Sequence, residues 1–410
     1  MSLKKNIINL FGTQVVSYLV PLLQYPYLSR VIGTDILGLY IFSISIINIS
    51  NIITTFGFDI YVAKRIAEGE NSKKDVSIFI FQTSVLKIIL LIIPLIIIFI
   101  SKFSTSYFED NNILLLLIFS VLVNTFNLVW LFQGLEKLYI YSRIIITTKI
   151  ISLLLIFLIV KTKNDINLLF LITFFQYLLS VLLCFFYCYK SGYKIIPSSL
   201  QSTVSLLINS FEYFLSRLGT SIYSTCGSFF LGLFSGSLHQ VAIYGAAEQL
   251  YKAGVYTMTA ISTPLIPYMA RTKNYLVFYK VTILSIIMTL IGAFIGFFYG
   301  KDIIYLIYGN NLIDAYPILC IFMITIVISI IGIQFGYPAL IPINKTKIAN
   351  YSVIIAGIIQ LLGIITLHLL NIDISAKNIT ILYLASDSTM TLIRFVTFIK
   401  NRNTRNKNGL

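Results

Sequence analysis

The chain has 410 residues, of which 58% are hydrophobic and 11% charged, with a formal net charge of +15. A water-soluble protein of this length needs far more polar surface, so the composition excludes a soluble enzyme or a soluble nucleic-acid-binding domain and makes the bilayer the solvent for most of the chain. Twelve apolar runs of roughly 20 residues would use up nearly all of it, each long enough as a helix to cross about 30 Å of hydrocarbon. They are predicted at 7–28, 36–57, 76–100, 112–132, 143–160, 167–189, 204–234, 241–266, 275–299, 314–334, 348–370 and 378–399. Strands are excluded, because open sheet edges cannot sit in lipid and these runs are too long and too evenly apolar for barrel strands. The predicted fold is an all-α integral membrane protein of about twelve transmembrane helices.

Along the chain, the first run carries Pro21 and Pro26 and lacks a small-residue cleavage site, so it is expected to stay as the first helix. Placing the N-terminus in the cytoplasm puts nineteen basic residues in inner segments, among them Lys64, Arg65, Lys73, Lys74, Lys400 and Arg402. Six remain outside: Arg30, Lys102, Lys161, Lys163, Lys301 and Lys377. That bias predicts both termini inside, and it accounts for the basic charge without a nucleic-acid partner. The central loop, with Gly192 and Pro197, divides residues 1–200 from 201–410, six helices in each. An even number per half gives both halves the same orientation, a common transporter plan of two pseudo-symmetric units. A faint echo fits: Gly12-Thr13 precedes Gly38-Leu39-Tyr40, and Gly219-Thr220 precedes Ala242-Ile243-Tyr244.

Cys184, Cys188, Cys226 and Cys320 all fall inside apolar runs and read as small buried residues. His239 and His368 stand alone, so no metal site or cofactor is expected. The informative residues are the charges within helices. Five are basic (Lys87, Lys149, Arg217, Lys252, Arg394) and three acidic (Glu212, Glu248, Asp387). A charge at the bilayer centre costs about 2.5–3.5 kcal/mol on insertion scales, so each needs a partner, water or a route to the interface. Lys149 and Arg394 lie close enough to a cytoplasmic end to snorkel. Lys87, Arg217 and Lys252 lie about eleven to thirteen residues into their helices, near the midplane. Glu248 and Lys252 share a helix face and could neutralise each other. Glu212 and Arg217, five apart, point in different directions. The functional reading is a water-filled cavity between the halves, lined mainly by cations and suited to an anion such as a diphosphate. The acids would then bind a coupling ion.

Several motifs carry a family resemblance. Gln24-Tyr25-Pro26-Tyr27-Leu28-Ser29-Arg30-Val31-Ile32-Gly33, Leu37-Gly38-Leu39-Tyr40 and Phe56-Gly57-Phe58 open the chain; Trp130-Leu131-Phe132-Gln133-Gly134-Leu135-Glu136 follows the fourth helix. Ala242-Ile243-Tyr244-Gly245-Ala246-Ala247-Glu248-Gln249-Leu250 and Leu340-Ile341-Pro342 come later. In order and spacing these resemble the Wzx-type O-antigen flippases, in the polysaccharide transporter branch of the MOP exporter superfamily, and so imply a MATE-like architecture. One departure is Gln249, where the family segment usually has Lys after Glu; the cation here is Lys252.

The resemblance implies a transporter, not an enzyme, of the bacterial inner membrane. Its substrate would be undecaprenyl-diphosphate bearing one oligosaccharide repeat, moved from the cytoplasmic to the periplasmic leaflet by alternating access. Polymerase and chain-length proteins of the pathway are the implied protein partners. Arg217, Lys252 and Lys87, with Arg30 at the outer mouth, are the candidates for the diphosphate; Glu212, Glu248 and Asp387 are the candidates for ion coupling. Gly33 and Gly38 are expected to allow a tight periplasmic turn, Pro21 and Pro26 to bend the first helix, and Trp130 to anchor at the interface. Two alternatives stay open: a MATE-like small-molecule exporter, and a polysaccharide polymerase or ligase, against which the short outer loops argue.

Overall fold

The computed structural model describes residues 18–407, with side chains to Arg402. Among the described residues all regular structure is helical and there is no strand. In chain order the helices are α1 (18–31), α2 (Thr34–Thr55), α3 (Phe58–Ala67), α4 (Lys73–Leu90), α5 (Ile92–Ser104), α6 (Asn111–Thr125), α7 (Val129–Gly134), α8 (Leu138–Ile159), α9 (Ile166–Lys190) and α10 (Leu200–Ser224). Then follow α11 (Gly227–Phe234), α12 (Leu238–Ser262), α13 (Leu265–Thr272), α14 (Tyr275–Phe298), α15 (Gly300–Tyr308), α16 (Tyr316–Gln334), α17 (Tyr337–Leu340), α18 (Thr346–Leu369) and α19 (Ala376–Lys407).

Nine runs among the described residues are long and apolar enough to cross a membrane, and each falls on a span expected from the sequence. Of the other three expected spans, 7–28 corresponds to α1 from residue 18 on, its earlier part lying outside the described residues, and 204–234 and 241–266 correspond to α10–α11 and α12–α13. The last two carry Glu212 with Arg217 and Glu248 with Lys252, which lowers their hydropathy. Large apolar side chains such as Ile92, Phe99, Leu158, Leu182, Phe294 and Leu362 stand exposed on the spans, as a lipid-facing surface requires.

Several spans are jointed rather than continuous. At the α2–α3 joint Phe56 and Gly57 are both left-handed, with φ of 45° and 76°. The α6–α7 joint falls at Phe126–Leu128 and the α16–α17 joint at Phe335–Gly336, ahead of Pro338. A joint frees backbone groups, and in a lipid-embedded protein neighbouring helices must satisfy them.

The chain divides into two compact units, Met1–Leu218 and Gly219–Leu410, with the boundary inside α10. In the first unit α6 packs on α9 and α2, α8 on α9, and α3 on α7. One core brings together Phe58, Val62 and Ile66 of α3, Trp130, Leu131 and Phe132 of α7, and Leu206 of α10. Cys184 and Cys188 are buried in the same core. Trp130 is therefore not an interfacial anchor: it is fully buried, because the joint turns α7 inward against α3. Gly134 serves the same docking, since a Cβ there would lie 2.8 Å from Ile66. The turn between α1 and α2 uses Gly33, at φ 86°, but not Gly38, which is buried within α2.

In the second unit α16 is central, packing on α19, α12 and α14, while α18 packs on α19. Gly219, at the end of α10 that belongs to this unit, meets α18 so closely that a Cβ on Gly357 would lie 2.6 Å from the Gly219 carbonyl oxygen. The packing gives one half of the sequence echo, Gly219-Thr220, a steric role. Its counterpart Gly12-Thr13 lies outside the described residues.

Candidate functional site

In the first unit Lys87 lies near the middle of the 32-residue helical run Lys73–Ser104 and is only 2% exposed. Its ammonium donates to the backbone carbonyl of Asn127 at 2.7 Å. That carbonyl belongs to the α6–α7 joint, where the helical ladder is interrupted. The Asn127 side chain closes the same joint, accepting from the Val129 amide at 3.0 Å and bonding with the Tyr141 hydroxyl. Lys87 is thus a cation that caps a freed carbonyl, a use its sequence position did not suggest.

Arg217, on α10, finds its acid outside its own helix. It donates to the Asp59 carboxylate at the first turn of α3. Asp59 is buried while more than half of the Arg217 side chain is open, at 5% and 55% exposure. Asp59 also acts through space on the Lys87 ammonium. The sequence positions this pairing through three contacts of α10 with the α2–α3 joint. Phe214 stacks on Phe56 with ring centroids 4.4 Å apart. Phe211 lies 6.1 Å from the same ring. Gly57 approaches so closely that a Cβ would sit 2.8 Å from the Ser210 carbonyl oxygen and the Phe214 nitrogen. Glu212 is exposed on α10, with Arg217 turned to Asp59 instead. Arg30 is exposed near the end of α1.

In the second unit Glu248 and Lys252 form the ion pair that their spacing allows, at 2.9 Å, with the carboxylate 6% and the lysine 18% exposed. The other carboxylate oxygen of Glu248 is buried, and the Tyr244 hydroxyl lies near the same carboxylate. Cys226 lies within electrostatic reach of both groups. The Tyr244 hydroxyl fills the space beside Gly227, where a Cβ would meet it at 2.1 Å. Replacing Glu248 by Leu should leave Lys252 with no counter-ion and lower the unfolding midpoint in detergent. The expected loss is about 1–3 kcal/mol, below the usual range for a broken buried pair because Lys252 keeps some exposure. Adding Lys252→Met should return most of that loss. A double variant no more stable than the single one would mean the pair is not what holds α12 here.

Asp387, on α19, is buried and accepts from the Ser329 hydroxyl of α16. Ser329 also bonds the Tyr251 hydroxyl at 2.8 Å, and Tyr251 bonds Tyr383 at 3.2 Å. Two turns along α19 from Asp387, Arg394 is 7% exposed. It does not snorkel. It donates to the Gly332 carbonyl at 2.8 Å, the Ala349 carbonyl at 3.1 Å and the Ser352 hydroxyl at 2.9 Å. Gly332 stands just before the α16–α17 joint, so Arg394 closes this joint as Lys87 closes the α6–α7 joint. Lys149 is half-buried on α8.

Asp59 is the residue that sequence reasoning missed, because it falls between the spans predicted at 36–57 and 76–100. The signal was available: Arg217 sits deep in its helix with no acid three or four residues away, so its partner had to come from another element.

The chain resembles known proteins in sequence and in fold. Residues 3–273 match the family described as Polysaccharide biosynthesis protein. The chain is 27% identical over 413 residues to the "Putative O-antigen transporter" of Escherichia coli (strain K12), covering 98% of this chain and 97% of that one. It is 26% identical over 374 residues to the protein of the same name from Shigella dysenteriae, covering 88% and 91%. Among solved structures, the lipid II flippase MurJ in its inward closed conformation superposes with a TM-score of 0.72 at 14% identity, over 96% of this chain and 89% of that one. An inward-facing MATE family multidrug resistance transporter of the MOP superfamily gives 0.68 at 13% identity, over 100% and 97%. At these identities the structures share the fold, and the MATE-like architecture implied by the motifs is the one observed.

Proposed function

The chain belongs to the polysaccharide biosynthesis protein family, and from that premise we propose that it is a flippase for a lipid-linked oligosaccharide. It is a multi-pass membrane transporter rather than an enzyme. Its substrate is a polyprenyl-diphosphate carrying one sugar repeat, of the undecaprenyl type, moved from the cytoplasmic to the periplasmic leaflet of the bacterial inner membrane. Both termini are cytoplasmic, as the excess of basic residues in the inner segments supports.

The observation that carries this reading is that each unit holds an acid-backed cation within its helices with part of the side chain open: Arg217 on Asp59, and Lys252 on Glu248. Guanidinium and ammonium groups bind phosphate oxygens through charge-assisted hydrogen bonds, and an acid behind each cation lowers the cost of keeping it in a low-dielectric setting. The relatives named O-antigen transporters, matched along nearly the whole chain, support the same class of cargo. Arg217 and Lys252 are the primary diphosphate contacts. Lys87 adds positive charge from behind Asp59, and Arg30 attracts the headgroup near the end of α1. Glu248, Asp387 and Glu212 are the acids for a coupling ion; Glu248 and Asp387 are buried and Glu212 is exposed. No covalent bond changes during transport.

The test is the leaflet location of the repeat in cells lacking this chain, with the sugar head labelled from the periplasmic side. Restored outer labelling by the wild-type chain is the expected result. Outer exposure without the chain, with repeats that stay unpolymerised, would overturn the reading in favour of an enzyme. Arg217→Ala and Lys252→Ala, at matched protein levels, should each lower outer labelling about tenfold or more, the weight of one charge-assisted phosphate contact. Unchanged labelling in both would remove these residues from the substrate path.

A further inference from the structure

Asp59 is a buried acid that the proposed transport chemistry so far uses only as the counter-charge of Arg217. It is the second residue of α3, which starts at once after the Phe56–Gly57 joint, so its place is fixed by a backbone turn and not by a flexible loop. One carboxylate oxygen takes the Arg217 guanidinium, and the other, Oδ1, is buried with no hydrogen-bond partner. Lys87 acts on it through space, but directs its ammonium to the Asn127 carbonyl.

A carboxylate serving only as a brace would be expected to meet arginine through both oxygens, since the two-pronged geometry is the stronger one. Here a single oxygen holds Arg217, and 55% of that side chain remains open. A guanidinium has five N–H donors, so a one-oxygen grip leaves donors for a second anion.

We propose that Asp59 is a positioning residue for the headgroup anion, holding Arg217 by one edge so that its other donors meet a phosphate oxygen of the substrate. Lys87 offsets the carboxylate when the substrate anion draws on the same guanidinium. The assignment rests on the flippase reading above.

The test uses the full chain in cells lacking their own copy, with Asp59→Asn, Arg217→Ala, and the exchange Asp59→Arg with Arg217→Asp. Each is read by its unfolding midpoint after purification and by outer labelling of the lipid-linked repeat. Asp59→Asn keeps the shape of the side chain. It should accumulate like wild type while labelling falls about tenfold or more, the cost of a lost charge-assisted contact. The exchange should regain the midpoint lost in Arg217→Ala without regaining labelling, because the cation then sits at position 59. Wild-type labelling in Asp59→Asn, or an exchange that restores both midpoint and labelling, would reduce the pair to a brace and overturn the assignment. If the exchanged chain does not accumulate, Asp59→Asn decides alone. Failure of the wild-type chain to change labelling would bring down the flippase reading and this assignment together. A working wild type beside a working Asp59→Asn brings down only the assignment.

Discussion

Replacing Arg394 by alanine is expected to lower stability by about 3–5 kcal/mol, enough to deplete the chain from the membrane fraction. The guanidinium reaches three acceptors on two helices: the Gly332 carbonyl of α16, and the Ala349 carbonyl and Ser352 hydroxyl of α18. Without it two carbonyls of buried or part-buried backbone lose a donor, and the buried Ser352 hydroxyl loses its partner. Asp387, one of the charges acting on Arg394, would keep Ser329 as a donor but lose its nearby cation. Arg394→Lys should recover only part of the loss, because one ammonium cannot reach acceptors arranged around a planar fork. The measurement is the unfolding midpoint of detergent-purified protein together with membrane abundance. An alanine variant that unfolds like wild type would show that water takes over the role of the side chain.

Gly57→Ala should cost nearly as much, about 3–4 kcal/mol, for two reasons that add. At φ 76° any side chain is strained, and the new Cβ would lie 2.8 Å from the Phe214 nitrogen, the Ser210 carbonyl oxygen and the Tyr213 Cβ. Two of those atoms are backbone, so no rotamer change relieves the clash, and overpacking of this kind typically costs 1–3 kcal/mol by itself. Relief requires α10 to move off the α2–α3 joint, which would separate Arg217 from Asp59. The variant should therefore lose outer labelling of the repeat even at a temperature where it stays folded. Glycine-to-alanine at Gly292, beside which a Cβ would meet nothing within 4 Å, is the matched control and should be neutral. Gly57→Ala with normal midpoint and normal labelling would show that the joint is not rigid.

How much of this was legible beforehand can be followed residue by residue. Glu248 and Lys252 were readable as a pair because four residues of helix put them on one face. Glu212 and Arg217 were readable as unpaired for the same reason, but the true partner of Arg217 was not. Asp59 lies 158 positions away and follows a two-residue joint, and no helical period connects the two. Lys87 was legible as a deep cation and not as a capping one, because the joint it serves, Phe126-Asn127-Leu128, contains neither proline nor glycine to announce it. Trp130 matched the composition of an interfacial belt, and the turn of α7 against α3 placed it in the core instead.

The sequence by itself determined the solvent, the helical class, the approximate spans and the inventory of charges that must be accounted for. Each of these follows from hydrophobicity and from the 1.5 Å rise per residue, which are properties of the chain taken locally. The tertiary structure decided which charge answers which. It gave Asp59 to Arg217, Lys87 to the Asn127 carbonyl and Arg394 to the Gly332 and Ala349 carbonyls. For the Asn127 and Gly332 carbonyls the reason is that helix joints release polar backbone groups. In a medium without water, each released group recruits whichever donor the packing brings within about 3 Å, however far away it lies in sequence.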